Sequence, residues 1–279
     1  MSRARSVRAG RRNMRSDFGA RFLVAIPAVA FALFIVISGG WWFLAGATAL
    51  GVIAVGELFG IYERARPVRL AGFLGLIGLA LASHLGGERQ VLLAVVAFFP
   101  LLFVITLATA GGTERPVLTA RMALTMFGVF WIGLAIAHAI LLRKLPHGDG
   151  IIITILVGTF IGDTGAYLGG RAFGRRKMAP SISPNKTVEG LVIGMLTAVL
   201  ATWCAGLYQD WLGHGQALVL GLAVALMAPL GDIFESQVKR DAGTKDAGSM
   251  FGPHGGALDR LDAAFFSLVA GYYVWLAML

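Results

Sequence analysis

Carboxylates, cations and glycines are concentrated near the C-terminus, in the stretch KDAGSMFGPHGGALDRLDA of a chain that is 57% hydrophobic and 14% charged. Asp259 and Asp262 are three residues apart, so they would share one face of a helix that enters the last apolar segment. Upstream, Asp232, Glu235 and Ser236 have the spacing i, i+3 and i+4 and would also face one side. Such hard oxygen ligands suit Mg²⁺, which proteins often bind through one or two carboxylates together with substrate phosphates.

Basic side chains lie beside these carboxylates and would compensate the charge of bound phosphates, namely Lys239, Arg240, Lys245 and Arg260. Glycines that permit positive φ angles and close backbone approach surround His254, at Gly248, Gly252, Gly255 and Gly256. Together they predict a phosphate cradle. A Walker A pattern is absent from the sequence, so the glycines alone are a weak signal.

A second polar stretch begins inside an apolar segment. Asp163 and Tyr167 are four residues apart and would share a helix face, and a carboxylate at membrane depth predicts a functional site. Ser183, Lys186 and Thr187 follow, just before the next apolar segment. All three side chains can contact phosphate oxygens at a helix N-terminus, which favours anions.

The composition requires elements that cross a membrane, since about 20 apolar residues span the hydrocarbon core. We predict an all-α polytopic membrane protein with about nine transmembrane helices. The predicted spans are Phe22 to Gly39, Trp41 to Phe59, Leu70 to His84, Gln90 to Ala110, Val117 to Leu142, Gly150 to Leu168, Val188 to Tyr208, His214 to Ile233 and Ala263 to Leu279.

The distribution of positive charge predicts a cytoplasmic N-terminus, because cationic loops tend to stay inside. This orientation leaves only Arg89, Arg143 and Lys144 of the 24 Lys and Arg residues outside. Residues 1–20 are then a basic cytoplasmic tail, followed by an uncleaved anchor. Residues 21–279 form a single catalytic membrane domain, whose polar loops 169–187 and 235–262 place the site at the cytoplasmic face.

The net charge of +9 does not indicate nucleic-acid binding, because the cations lie in juxtamembrane loops without an aromatic-rich basic domain. Anionic lipid head groups and anionic substrates are the expected partners. The single cysteine, Cys204, excludes a disulfide or a cysteine-based zinc cluster within one chain.

The polar residues resemble a known family signature. The series Ser236-Gln-Val-Lys239-Arg240, Lys245-Asp246 and His254-Gly-Gly-Ala-Leu-Asp259-Arg260-Leu-Asp262 is similar to that of phosphatidate cytidylyltransferases, also called CDP-diacylglycerol synthases. Ser183-Pro184 with Lys186-Thr187, and Asp163 with Tyr167, resemble the other polar motif of this family.

The resemblance implies the reaction of CTP with phosphatidate to give CDP-diacylglycerol and pyrophosphate, in phospholipid biosynthesis. It implies a homodimer in the bacterial inner membrane, and Mg²⁺, with a second cation possible, bound by Asp232 and Asp259. Catalytic roles are expected for Asp232, Asp246, Asp259, Asp262 and Lys239. Substrate-binding roles are expected for Asp163, Tyr167, Ser183, Lys186, Thr187, Ser236, Arg240, Lys245, His254, Gly255, Gly256 and Arg260.

Two other functions stay open at the level of sequence. A CTP-dependent polyprenol or lipid kinase would have related polar loops but would transfer the terminal phosphate and release CDP. A secondary transporter of an anionic solute would use the loops as broken-helix elements, although such sites are expected near the membrane midplane.

Overall fold

The computed structural model of the protein describes residues 26–109, 117–248 and 255–279. The predicted N-terminal tail and His254 lie outside these residues. Nine helices lie within them: α1 Ile26–Ser38, α2 Gly40–Ile61, α3 Arg69–Leu85, α4 Glu88–Ala108, α5 Leu118–Lys144, α6 Gly148–Phe173, α7 Val188–Gly206, α8 His214–Asp241 and α9 Leu258–Leu276. Helix α5 contains one π-helical turn, Val129–Gly133.

Six of the helices in the described part of the chain, α2 and α4 to α8, are long and apolar enough to cross a membrane. Helices α1 and α3 are apolar but shorter, and α9 begins with the charged residues Asp259, Arg260 and Asp262. The structure therefore supports an integral membrane protein with six clear spans. The count of nine spans and the cytoplasmic N-terminus remain predictions.

Burial separates central helices from peripheral ones. In an apolar 18-residue stretch of each helix, 61% of α5 is buried but only 22% of α4. Helix α5 therefore lies in the centre and α4 at the rim. Large apolar side chains on the rim are exposed, such as Leu92 and Val96 of α4 and Leu196 of α7. Hydrocarbon solvates such side chains as well as a protein core does, which explains an apolar surface of this extent.

Helices α6 and α7 pack at very short range because small residues face each other. A Cβ added to Gly194 would lie 2.6 Å from the Cβ of Ala166 and 3.0 Å from the carbonyl oxygen of Gly162. A Cβ on Gly162 would in turn lie 2.8 Å from the Cβ of Ala198. Small residues allow helix backbones to approach closely in membranes. This pair forms one wall of the candidate site.

A short antiparallel β-hairpin connects α6 to α7, with strands β1 Lys177–Ala179 and β2 Ser183–Thr187. Glu189, in the first turn of α7, accepts hydrogen bonds from the backbone N–H groups of Arg175 at 2.9 Å and Arg176 at 3.1 Å. The prediction of an all-α fold was therefore wrong at this point. The polar sequence SPNKT has no alternation of apolar residues that would indicate a strand.

Both predicted polar loops are also shorter than expected from sequence. Helix α6 continues to Phe173, and α8 continues to Asp241, so the first residues of each predicted loop are helical. Asp232, Glu235 and Lys239 all lie on one continuous helix, so their backbone positions are fixed relative to one another.

Two of the cations predicted outside have a structural role at helix ends. Lys144 Nζ donates to the carbonyl oxygens of Ser83 at 3.0 Å and His84 at 2.9 Å, at the end of α3. Arg143 Nε donates to the carbonyl oxygen of Val36 near the end of α1 at 2.7 Å. Cations are favoured at helix C-termini, where carbonyl groups lack intrahelical partners.

Candidate active site

A cavity of about 480 Å³ opens between α6, α7, α8 and the hairpin. Six of the residues predicted as site residues line it: Asp163, Tyr167, Ser183, Lys186, Thr187 and Asp232. These residues come from three different elements, α6, β2 and α8, so the cavity exists only in the folded chain. The two polar stretches are far apart in the sequence, and Asp232 from the second meets residues of the first here, as the sequence predicts for a shared site.

An ion pair marks the polar end of the cavity. Lys186 Nζ lies 2.5 Å from Asp232 Oδ2, and the two side chains are 25% and 34% exposed. Asp163 on α6 interacts electrostatically with both of them. The Lys186 side chain thus lines the cavity, while its Nζ is buried against the Asp232 carboxylate.

Apart from Arg171 and Asn185, the rest of the cavity wall is made of small and apolar residues. They are contributed by α6, α7 and α8 and include Thr159, Gly162, Gly194, Ala198, Ala225 and Ala228. The same small side chains that let α6 approach α7 thus leave space along the helices. The cavity offers charge at one end and an apolar surface along its length.

Thr187 has a structural task in addition to its place at the cavity. Its hydroxyl oxygen accepts a hydrogen bond from the Gly190 N–H at 3.1 Å, and the side chain is buried. Thr187 is therefore the N-cap of α7. The sequence predicted a phosphate contact for this hydroxyl, and the structure adds that one of its acceptor positions is already used.

A second polar cluster joins α8 to the start of α9. Lys239 Nζ lies 2.6 Å from Glu235 Oε2 and 2.7 Å from Asp259 Oδ1. The Asp259 carboxylate also accepts from the backbone N–H groups of Gly256 at 2.7 Å and Ala247 at 3.1 Å. Since Glu235 is 1% exposed and Lys239 is 12% exposed, this cluster is more deeply buried than the Lys186 pair.

Asp262 connects the two clusters. It lies one turn after Asp259 on α9, and its carboxylate is repelled by those of Asp232, Glu235 and Asp163. Four acidic side chains from three helices therefore share one region. Two lysines, 186 and 239, provide the compensating positive charge within hydrogen-bonding distance of this group.

Arg240 ties the two polar stretches together. Its Nε donates to the carbonyl oxygen of Ile182 in the hairpin at 3.1 Å, and its Nη1 donates to that of Thr244 at 3.0 Å. Four other predicted residues lie outside the cavity lining. Ser236 is half-buried, and the others, Lys245, Asp246 and Arg260, are exposed.

The glycine-rich segment is described only at its borders. Gly255 has a φ of +81°, as expected for a glycine that the chain requires in the left-handed region, and Gly256 is buried. The central part of the predicted cradle, including His254, lies in the segment that the structure does not describe.

The end of helix α2 and the residue that follows it make contacts that the sequence did not predict. Glu57 accepts hydrogen bonds from the backbone N–H groups of Ala257 at 3.1 Å and Leu258 at 2.8 Å. Just after α2, the Tyr62 hydroxyl donates to the carbonyl oxygen of Val238 at 2.9 Å. Burial, followed by the negative charge of Asp241, raises the pKa of Tyr62, so the phenol remains a hydrogen-bond donor.

Sequence reasoning named Glu235 as a candidate oxygen donor but gave it no catalytic or metal-binding role. Its spacing from Asp232 and Ser236 was visible, but the sequence does not show which of these side chains meets Lys239. The i, i+4 relation between Glu235 and Lys239 is the signal that could have indicated the pair.

The two predicted metal ligands pair with different lysines, Asp232 with Lys186 and Asp259 with Lys239. Among the described residues, no three His, Cys, Asp or Glu side chains are arranged to hold a metal ion. The donor chemistry nevertheless fits a hard cation, because all of the acidic groups present oxygen. Glu235 Oε1 is buried and has no hydrogen-bond partner. One carboxylate oxygen is thus left for a further cation or donor.

Residues 19–278 match the model of the cytidylyltransferase family, which covers nearly the whole chain. The chain belongs to this family. It is 32% identical to the phosphatidate cytidylyltransferase of Mycobacterium bovis, over 81% of this chain and 79% of the relative. It is 31% identical to that of Bacillus subtilis, over 92% and 97% of the two chains, and 30% identical to that of Synechocystis, over 91% and 94%.

Proposed function

We propose that the protein transfers the cytidylyl group of CTP to phosphatidate, which gives CDP-diacylglycerol and pyrophosphate. Membership of the cytidylyltransferase family and the names of relatives that align over most of the chain support this activity. One structural observation carries it further: a cavity with an Asp–Lys–Asp group at one end and an apolar wall along three helices.

This cavity matches the two parts of phosphatidate. The phosphate requires cations, and the side chains of Lys186 and Arg171 both line the cavity. The glycerol and acyl chains require apolar surface that is continuous with the bilayer. Helix α7 provides it, because only 28% of its apolar stretch is buried within the protein. A soluble nucleotide alone would not need the apolar part.

In the proposed reaction, an oxygen of the phosphatidate phosphate attacks the α-phosphorus of CTP. The new P–O bond forms as the bond to the β-phosphate oxygen breaks, and pyrophosphate leaves with the electron pair. The attacking phosphate is already anionic, so the protein must align the groups and neutralise charge rather than remove a proton. Lys186 and Lys239 lie where they can turn from carboxylates to phosphate oxygens.

We further propose that Mg²⁺, with room for a second cation, binds at this group through Asp232 and Asp259. Repulsion among Asp163, Asp232, Glu235 and Asp262 supports a cation site, because a bound cation would reduce that repulsion. Substrate phosphates would complete the coordination of Mg²⁺, as is common for this ion. When bound, the metal would stabilise negative charge on the transferring and leaving phosphates.

Removal of divalent metal tests this cation site. Wild-type protein treated with EDTA should lose turnover, and Mg²⁺ should restore it. Isothermal titration of the treated protein with Mg²⁺ and a non-hydrolysable CTP analogue should show metal-dependent nucleotide binding. Full turnover without any divalent cation would contradict the site.

The family resemblance supports a homodimer, and the bacterial relatives support a place in the bacterial inner membrane. The distribution of Lys and Arg supports a site that faces the cytoplasm. CTP is present on that side. Mass measurement of the protein in lipid nanodiscs would test the dimer.

Product analysis tests the activity itself. Purified protein in detergent with CTP, phosphatidate and Mg²⁺ should release pyrophosphate and form one liponucleotide per pyrophosphate, identified by mass spectrometry. Release of CDP with a newly phosphorylated lipid alcohol would select the lipid kinase instead. Absence of turnover together with uptake of an anionic solute into proteoliposomes would select the transporter.

A further inference from the structure

Glu57 lies on α2, yet its carboxylate bonds to a segment 200 residues later. It accepts from Ala257 N at 3.1 Å and from Leu258 N at 2.8 Å. These N–H groups belong to the start of α9, where no intrahelical partner is available. A carboxylate at this position satisfies the free donors and interacts favourably with the helix dipole.

Two glycines leave the space that the Glu57 carboxylate fills. A Cβ on Gly248 or on Gly256 would collide with the carboxylate oxygens of Glu57. These glycines lie on the two sides of the glycine-rich segment. Glu57 therefore lies against the chain at Gly248, in the connection that follows α8, and at the start of α9.

Asp259 holds the same two stretches of backbone. It accepts from Ala247 N, next to Gly248, and from Gly256 N. Glu57 and Asp259 are thus two carboxylates that order the start of α9, one from another helix and one from within. Since Asp259 also binds Lys239, a shift of this turn would move the carboxylate–lysine cluster.

We infer that Glu57 is a positioning residue for the transfer reaction: it fixes the first turn of α9, and thereby the Asp259 carboxylate and its partner Lys239, without contacting a substrate. This role rests on the proposed function. Loss of a purely structural contact would lower stability in general. Loss of the positioning contact should lower turnover while the lipid cavity between α6, α7 and α8 stays intact.

The test is Glu57→Gln, which preserves shape but replaces one acceptor oxygen with an NH₂ group that faces N–H donors. We expect kcat to fall by about 10- to 100-fold, as is common for residues that support a catalytic ligand. The KM for phosphatidate should change by less than about threefold, because Glu57 does not line the cavity. Hydrogen exchange of residues 256–261 should become about tenfold faster, because the amides of Ala257 and Leu258 lose a carboxylate partner and the first turn of α9 is then held less firmly.

Two control variants separate positioning from general destabilisation. Glu63→Gln changes an exposed carboxylate beyond the same end of α2 and should behave like wild type. Lys144→Met removes the cation that caps α3, far along the chain from the site, and should lower Tm without changing kcat at a temperature where the protein is folded.

The outcomes distinguish this inference from the proposed function. Unchanged exchange of residues 256–261 in Glu57→Gln, or a wild-type kcat in an active preparation, would overturn the role of Glu57. So would a loss of kcat that Lys144→Met reproduces at equal loss of Tm. Faster exchange in Glu57→Gln beside a wild type that makes no CDP-diacylglycerol would support the positioning contact and refute the proposed activity.

Discussion

At the scale of residues, the acidic side chains of the site are neutralised by particular lysines. The sequence indicated that Asp232, Asp259 and Lys239 belong to one site, because their types and spacing suit phosphate chemistry. It could not indicate that Asp259 bonds Lys239 while Asp232 bonds Lys186, since those contacts join different elements, α9 with α8 and α8 with β2. Pair identity depends on how the helices are rotated about their axes, which local patterns do not encode.

Asp259→Asn should lower turnover by about 100-fold or more, because it removes the charge that faces Lys239 and the proposed metal. It should also lower Tm, since Asp259 accepts two backbone N–H groups beside the glycine-rich segment. Steady-state formation of CDP-diacylglycerol and thermal unfolding measure the two effects. The matched control is Asp210→Asn at an exposed carboxylate. Near wild-type turnover of Asp259→Asn at saturating Mg²⁺ would show that this carboxylate is not needed.

Lys186→Ala should raise the KM for at least one substrate about tenfold or more, because it removes a cation at the polar end of the cavity and leaves Asp232 and Asp163 without compensation. Initial rates over a range of CTP and phosphatidate concentrations provide this measurement. Lys177→Ala, an exposed lysine on β1 of the same hairpin, is the control. Equal KM values for the two variants would mean that Lys186 does not bind phosphate.

At the scale of elements, the lengths of the apolar segments predicted the presence of the helices more accurately than the residues at which they begin and end. The spans proposed from sequence correspond to helices wherever the structure describes them, because a bilayer requires long apolar helices. The hairpin was missed, since its five-residue second strand is polar and depends on Glu189 of the next helix. Close packing of α6 on α7 was also not predicted, although both helices contain glycines at helical spacing.

Gly194→Leu should destabilise the protein by about 1–3 kcal/mol, because the new side chain would collide with Ala166 and with the Gly162 backbone and would push α6 from α7. Turnover should fall as well, since both helices line the cavity. Unfolding midpoints in mixed micelles measure stability. Val192→Leu, on the exposed side of α7, should be neutral. A neutral Gly194→Leu would show that the two helices can separate without cost.

At the scale of the whole molecule, residues distant in sequence gather at one end of the helical bundle. Asp163 on α6, Lys186 on the hairpin and Asp232 on α8 form one charged group, and Asp262 on α9 lies close enough to interact electrostatically with both of its carboxylates. The convergence of the two polar stretches was predicted because neither alone has both the phosphate-binding and the carboxylate groups. The distribution of Lys and Arg predicts that this end faces the cytoplasm.

Single cysteines at Ser181 and Thr244, in a Cys204→Ala background, test this orientation. The two positions flank the carbonyl groups that Arg240 joins, so both belong to the same end of the bundle. A membrane-impermeant thiol reagent should label them only from the cytoplasmic side, and CTP with Mg²⁺ should slow both reactions. Labelling from outside intact cells would overturn the orientation, and protection of one site alone would mean that the nucleotide contacts only one polar stretch.

The position of a radioactive label tests nucleotidyl transfer most directly. Membranes containing the protein should transfer ³²P from α-labelled CTP into a lipid that co-migrates with CDP-diacylglycerol. With γ-labelled CTP, the label should appear in pyrophosphate and not in lipid, and omission of phosphatidate should abolish both signals. Transfer of the γ-label into lipid would contradict cytidylyl transfer and establish a kinase instead.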